Sequence, residues 1–268
     1  MTSLSVAVSD SLTITRRNLI KVKRVPDLLF FATLSPIMFV LLFRYVFGGA
    51  IQVPGDLSYA EFLLPGIFAQ TVVFGATITG ASVADDLQKG LIDRFRSLPM
   101  ASSAVLVGRT VADAGLNALS VAVMALTGLV VGWRIHTSVG EALAGFLVLL
   151  VFSYAISWLM AVVGLLVRTP EVVNNASFIV IFPLTFASNA FVPLESFPSW
   201  LRAFAEWNPV SAVVEASRQL FGNTVPGLPA PEAWSLQHPA LYSLIWAAVI
   251  VAVFLPLSVR LYKRTASR

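Results

Sequence analysis

Charged side chains are scarce in this chain, and those that recur in register are the first place to look for chemistry. Asp85, Lys89 and Asp93 follow one another at i, i+4 as opposite-charge pairs. Between them Leu87, Leu91, Phe95 and Leu98 recur at i, i+4, i+8 and i+11, which lines them along one helical face until Pro99 ends the run. With Gly90, Arg94 and Arg96 beside the stripe, this is a pattern suited to docking into a groove on a soluble partner. A membrane-surface helix without a partner is the competing reading. Arg109 and Asp113, also i, i+4, stand near the start of a long uncharged stretch. A structural ion pair is favoured there over a proton or substrate relay, because charges at such places are costly unless paired or near an interface.

Two further groups place polar or aromatic residues in apolar surroundings. Asn174, Asn175, Pro183, Ser188, Asn189 and Pro193 interrupt the apolar run 172–194, as amides that bond across a helix interface or as part of a cavity or translocation path. Trp200, Phe204 and Trp207 fall at i, i+4 and i+7, so one helical face carries three aromatics, a composition that prefers a membrane interface. Asn208 and Pro209 then open a second short segment with apolar Val210, Val213, Val214, Leu220 and Phe221, closed by Gly222 and a Pro-rich loop to Pro231. Two short helices bounded by Pro or Gly fit a re-entrant pair dipping into the outer leaflet. Ordinary surface helices are the alternative, since re-entrant backbone needs shelter by protein or a cavity.

Other chemistries lack their residues. The four lysines, Lys21, Lys23, Lys89 and Lys263, none of them after a Gly, exclude a phosphate-binding G-x-x-x-x-G-K-[ST] loop. H-E-x-x-H and G-x-S-x-G are also missing, so no nucleophile, base or metal constellation can be assembled and the chain does not read as an enzyme. Neither a cofactor nor a metal site is expected. With no cysteine and only His136 and His238 for imidazole chemistry, disulfide and thiolate-metal scaffolds are excluded. The net charge of +4 would suggest nucleic acid only if read as a global sum; its distribution matters more, and no nucleic-acid partner is expected.

The elements that must carry these residues follow from composition. Of 268 residues 57% are hydrophobic and 12% charged, about half the charged share of a soluble domain. That much apolar surface must face lipid. A crossing needs about 20 apolar residues, and six charge-poor intervals qualify, giving spans near 28–48, 62–84, 110–133, 142–167, 172–194 and 240–259. The first is completed by Arg44 snorkelling outward and is kinked at Pro36. Its 27-residue polar lead, overlong apolar run and missing A-x-A site mark it as an uncleaved span.

In this six-span reading one face holds only Arg44, Arg134, Arg202 and Arg218, and the other holds the remaining Lys and Arg, so the basic face is cytoplasmic and both termini are inside. Residues 1–27 form a cytoplasmic segment in which 12–25 carries its five basic residues on one half of a helical wheel. Leu12, Ile14, Leu19, Val22 and Val25 occupy the other half, with Ile20 the exception. That fits an interfacial amphipathic helix, with a solvated basic tail as the alternative. Residues 28–260 form a single six-span helical membrane domain, and 261–268 a basic cytoplasmic tail. The fold class is an all-α, multi-pass integral membrane protein.

Two segments carry a resemblance. Residues 90–100 and 182–193, the latter followed by Pro198, Trp200, Leu201 and Asn208-Pro209-Val210-Ser211, resemble the type-2 permeases of ATP-binding-cassette exporters, and among these the daunorubicin/doxorubicin-resistance type. The resemblance covers nearly the whole chain. It implies a bacterial inner-membrane permease that expels a hydrophobic or amphipathic cargo, drug-like or lipid-linked. ATP and Mg would be bound by a cytoplasmic ATPase in two copies, beside a second permease chain in a homodimer. Leu87, Gly90, Leu91, Asp93, Arg94, Phe95, Arg96, Leu98 and Pro99 become the ATPase-coupling loop. Pro193, Trp200, Phe204, Trp207, Asn208 and Pro209 become an outer gate, with Pro183, Ser188 and Asn189 on the path or in its packing. An ion-coupled carrier without an ATPase is the alternative function.

Overall fold

The computed structural model describes residues 4–24, 34–35, 37–47, 58–91, 102–167, 169–224 and 231–265, with no strand among them. The elements are α1 (Leu4–Arg24), α2 (Ile37–Val46), α3 (Tyr59–Gly75), α4 (Thr77–Gln88), α5 (Ser102–Val130), α6 (Val139–Leu166), α7 (Pro170–Phe186), α8 (Ser199–Trp207), α9 (Pro209–Phe221), α10 (Trp234–Gln237) and α11 (Pro239–Thr265).

Local sequence sets the boundaries. Ser58 with Glu61 and Ser138 with Glu141 form reciprocal capping boxes that start α3 and α6. Thr169 caps α7 and Asn208 caps α9, each followed by Pro at the first helical position, where its missing N–H costs nothing. Gly222 closes α9 at φ 72, a left-handed conformation that favours glycine.

Four helices are long and apolar enough to cross a bilayer: the α3–α4 pair Tyr59–Gln88, then Ser103–Val130, Val139–Leu166 and Pro239–Arg264. Ile37–Val46 and Pro170–Phe186 are apolar but shorter. The helices at expected spans two, three, four and six reach past one or both of the sequence-based ends. Span five, expected over 172–194, ends as a helix at Phe186; Ser188, Asn189 and Pro193 lie in irregular chain beyond it. Of span one, residues 34–35 and 37–47 are described, and Pro36 lies outside them.

Span two is divided only at Ala76, which keeps a helical φ of -65 and ψ of -21 and donates its N–H to the Val72 carbonyl at 3.2 Å, so α3 and α4 run on as one span. The Asn117 side-chain Oδ1 fills the space where a Cβ on Gly75 would stand. The Asn117 amide donates to Ser153 Oγ at 2.7 Å, and Ser153 Oγ donates to the Val72 carbonyl at 3.2 Å. Ser153 thus adds a second donor to the carbonyl that already accepts the Ala76 N–H.

α6 is the central helix, with α3, α4, α5, α9 and α11 packed on it and Trp158, Phe152 and Leu149 fully buried. α7 and α11 are peripheral. α7 buries a narrow stripe, Val173, Ser177, Ile181 and Thr185, and exposes Phe178, Ile179, Val180 and Phe182. α1 lies along the start of α5, where Gly108 admits Ile14 and accepts a bond from Thr15 Oγ1 at 3.1 Å. Val83 and Leu87 of α4, Val105 and Leu106 of α5, Leu165 of α6 and Tyr262 of α11 form a cluster at this same end. The first and last helices therefore meet at one end of the bundle.

Close backbone approach sets the α4–α6 contact: a Cβ on Gly164 would collide with the Gly80 carbonyl, whereas Gly140 faces open space. Gly164→Ala is expected to lower unfolding stability in detergent by about 1–3 kcal/mol through overpacking. Gly140→Ala should leave it unchanged or raise it by about 0.4–1 kcal/mol. Equal losses in both variants would show that the contact does not limit packing.

Candidate functional site

At the end shared by α1 and the end of α11, the acidic and basic residues pair as their spacing suggested. Arg109 Nε and Asp113 Oδ2 are 3.1 Å apart, and Thr79 Oγ1 donates to the same oxygen at 2.7 Å, so the buried carboxylate joins α5 to α4. Lys89 bonds Asp85 Oδ2 at 2.8 Å, and that carboxylate holds the exposed ammonium above its ordinary range. α4 ends at Gln88, and Gly90 takes φ 64. The stripe expected from Leu87 through Leu98 is therefore interrupted two residues after it begins. Leu87 packs inward beside Val83, Leu165 and Tyr262. Leu91 is the last described residue before 102, and Asp93, Arg94, Phe95, Arg96, Leu98 and Pro99 lie outside the described residues.

The opposite end is built around the termination of α7. A helix end leaves carbonyl groups without intrahelical partners, and here they are inside the fold. Asn208 Nδ2 donates to the carbonyls of Leu184 and Ala187 at 2.7 and 3.0 Å, while Asn208 Oδ1 accepts from the Val210 N–H at 2.9 Å. One side chain thus closes α7 and opens α9. Ser188 Oγ donates to the Thr185 carbonyl.

Arg218, 3% exposed, takes the next turn of chain: Nη2 donates to the carbonyls of Asn189 and Ala190 at 2.7 and 3.3 Å, and Nε to that of Phe62 at 3.1 Å. Its guanidinium also sits 3.8 Å over the Phe62 ring. Glu215 Oε2 lies 3.7 Å from Arg218 Nη1 and accepts from Asn189 Nδ2 at 3.3 Å. The charge is thus met by carbonyls, a ring and a carboxylate drawn from α3, α9 and the chain after α7.

The far end of α9 is clamped as well. Phe221 packs edge-on to Trp133 and Phe68 at 5.4 and 6.1 Å, and tilted against Phe146 at 4.8 Å. Trp133 Nε1 donates to Asn223 Oδ1 at 2.7 Å, and the His136 N–H donates to the Phe221 carbonyl at 2.9 Å. His136 Nε2 is 2.6 Å from Glu61 Oε1, which ties this loop to the start of α3.

Of the expected gate residues, Asn208 and Pro209 form the α8–α9 junction, and Pro193 precedes a short 3-10 turn, Leu194–Ser196. Trp200, Phe204 and Trp207 share the exposed face of α8 and make no part of the Arg218 cluster. On the other side of that helix Arg202 Nε bonds Glu206 Oε1 at 2.9 Å, a contact that keeps the guanidinium above its ordinary range. Pro183 stands in the last turn of α7, and Ser188 and Asn189 are buried just beyond it.

Along α7 the rings of Phe178, Phe182 and Phe186 stack at 4.9 and 4.1 Å, and the series continues to Phe191 and Phe43 at 4.9 and 5.0 Å. Asn174 and Asn175 are exposed at the opposite end of the same helix.

Arg218 and Glu215 escaped the sequence reading, although Val210, Val214 and Arg218 fall at i, i+4, i+8. An arginine on the apolar stripe of a short helix was the available signal.

The chain matches the ABC-2 type transporter family over residues 10–221. It is 36% identical over 259 residues to the daunorubicin resistance ABC transporter permease protein DrrB1 of Streptomyces coeruleorubidus, covering 97% of this chain and 88% of the relative. The probable doxorubicin resistance ABC transporter permease protein DrrC of Mycobacterium tuberculosis is 28% identical over 242 residues, 88% of this chain and 82% of that one. The putative transport permease ycf38 of Cyanophora paradoxa is 24% identical over 220 residues, 81% and 76% of the two chains.

Replacing Arg218 by Met removes the donors to three carbonyls and leaves Glu215 unpaired. Unfolding stability is expected to fall by about 3–5 kcal/mol. Adding Glu215→Gln should restore part of that loss, because the orphaned charge goes with it. Strictly additive losses in a double-mutant cycle would show that the two side chains act independently.

Proposed function

The chain belongs to the ABC-2 type transporter family and is a transport subunit of the multi-pass membrane type; we propose that it is the permease of an exporter that moves a hydrophobic or amphipathic cargo, drug-like or lipid-linked, out of a bacterial cell. The observation that carries this reading is the likeness to a permease named for daunorubicin resistance over 97% of the chain. ATP and its Mg belong, in this proposal, to two copies of a separate cytoplasmic subunit.

Orientation follows from charge. The end where α1, the turn after α4 and the last turn of α11 meet carries Arg16, Arg17, Lys89, Arg109, Lys263 and Arg264. We assign it to the cytoplasm, with six crossings, counting the helices at Ile37–Val46 and Pro170–Phe186, and both termini inside. The α8–α9 pair is then outside, with α9 as the re-entrant member. Residues 1–27, 28–260 and 261–268 divide the chain into interfacial segment, permease domain and basic tail.

The ATPase docks on the stretch after Gly90, with Leu91, Asp93, Arg94, Phe95, Arg96, Leu98 and Pro99 as its surface, while Leu87 anchors that stretch to the bundle. A second copy of the chain faces α7. Exposed amides are poorly tolerated against lipid, so Asn174 and Asn175 belong against protein or a cavity, and the phenylalanine series above them continues an apolar path outward. Pro183, Ser188 and Asn189 shape the outer end of that path. Pro193, Asn208 and Pro209 join the elements of the gate, and Trp200, Phe204 and Trp207 ride on its outer helix.

The direct test is affinity purification of the full chain from its host in mild detergent. A stoichiometric ATPase should co-purify and be lost from the Phe95→Asp/Leu98→Asp variant. Recovery of the chain reproducibly without a nucleotide-binding partner would overturn the exporter reading in favour of ion-driven transport. A second variant, Arg94→Glu/Phe95→Ala, should reach the membrane in normal amount and lose export; unchanged export with normal ATPase binding would remove the coupling role from this loop.

A further inference from the structure

The surface of α8 is divided by chemistry. Taking 100° per residue, Leu201 and Ala205 share one sector and turn toward the fold, where Ala205 clusters with Leu194, Leu236 and Phe197. Arg202 and Glu206 occupy a second sector and pair with each other. Trp200, Phe204 and Trp207 fall within a third sector on the far side of the helix from that pair, at 72, 50 and 53% exposure. Three large aromatics held outward beside a separate charged flank have the organisation of a helix at a membrane boundary.

The same face has an apolar continuation. The Trp207 ring meets Tyr242 of α11 edge-on at 6.2 Å, and the Tyr242 hydroxyl donates to the Trp207 carbonyl at 2.9 Å. Around Tyr242 stand Trp234 at 6.1 Å and Trp246 at 6.3 Å, both edge-on. Along α11 from these rings run Leu241, Leu244, Ile245, Val249, Val253 and Leu257, all exposed. A long helix whose outward side is branched aliphatic along its length and aromatic at one end has the signature of a lipid-facing span with its interfacial belt. α7 also has a wide open face but carries exposed amides on it, which is why the second permease copy belongs there.

We propose that α8 is seated at the boundary between headgroups and acyl chains of the outer leaflet, with Trp200, Phe204 and Trp207 turned to lipid as an extension of the lipid-facing wall of α11. Tyr, Trp and Phe suit this layer because each ring combines apolar area with a polarisable edge or, in Trp, an N–H that reaches headgroups and water. The proposal rests on the outward orientation given above for the side of the membrane, but not for contact with lipid.

Because the native chain has no cysteine, single nitroxide labels can be placed without background. In vesicles carrying the full complex, labels at Trp200→Cys, Phe204→Cys and Trp207→Cys should collide with dissolved oxygen several-fold more effectively than with a water-soluble nickel chelate. A label at Arg202→Cys should show the reverse. If Trp200→Cys fails to reconstitute, Phe204→Cys carries the measurement. Dominance of the nickel chelate at 200 and 204 would overturn the proposal in favour of an aqueous gate surface. Low collision with both reagents would overturn it in favour of a protein-covered face. Labelling of Glu232→Cys by an impermeant maleimide from outside intact cells tests the orientation separately, so failure of the topology is distinguishable from failure of the lipid contact.

Discussion

A helix that stops inside a protein leaves carbonyl oxygens that must find donors, and the end of this structure where α7 stops is organised by that requirement. α7 ends at Phe186, and the carbonyls of Leu184, Ala187, Asn189 and Ala190 are all met by Asn208 and Arg218, side chains from the segment that follows. Water would satisfy those groups at a surface. In a buried, largely apolar site each unmet carbonyl costs on the order of 1–3 kcal/mol. The broken end of α7 therefore depends on the segment that follows it, whose side chains satisfy its backbone.

The buried guanidinium is suited to this place for geometric reasons. Arg218 presents several N–H groups in one plane, which lets it reach the Phe62 carbonyl on one side and those of Asn189 and Ala190 on the other. An ammonium on a flexible stem offers no such fixed fork. The aromatic clamp at Phe221 then fixes the second end of α9 against Trp133 and Phe68, so the helix is held at both ends and its buried apolar face fits the bundle in one position.

Much of the architecture was legible because a bilayer makes charge expensive. Charge-free intervals located the helices at Tyr59–Gln88, Ser102–Val130, Val139–Leu166 and Pro239–Thr265, and an i, i+4 rule found the Arg109–Asp113 pair. Composition could not locate the end of α7, because residues 187–194 are as apolar as the helix before them and only tertiary donors permit the chain to leave helical geometry there. The inward turn of Leu87 was hidden for a similar reason. Periodicity treats 87–98 as one helix, while the left-handed Gly90 interrupts the register and gives Leu87 to the bundle. Arg218 was counted as an outer-face cation by its position in the chain. The three-dimensional arrangement of carbonyls around it, drawn from residues 62, 189 and 190, has no sequence-local signal.

The pair α3–α4 brings these two ends into one element. Its last turn packs by Leu87 into the cluster with Leu165 and Tyr262, and Thr79 is held by the buried Asp113. Its first turns carry the Phe62 carbonyl that Arg218 binds and the Glu61 carboxylate that meets His136. Between them the Ser153 hydroxyl, held by Asn117, bonds the Val72 carbonyl, while Ala76 keeps helical geometry with its own N–H on that carbonyl. A straight α-helix through this region would carry any displacement of one end rigidly to the other. The α3–α4 pair is therefore one connection between the Arg218 cluster at one end of the bundle and the Leu87–Tyr262 cluster at the other.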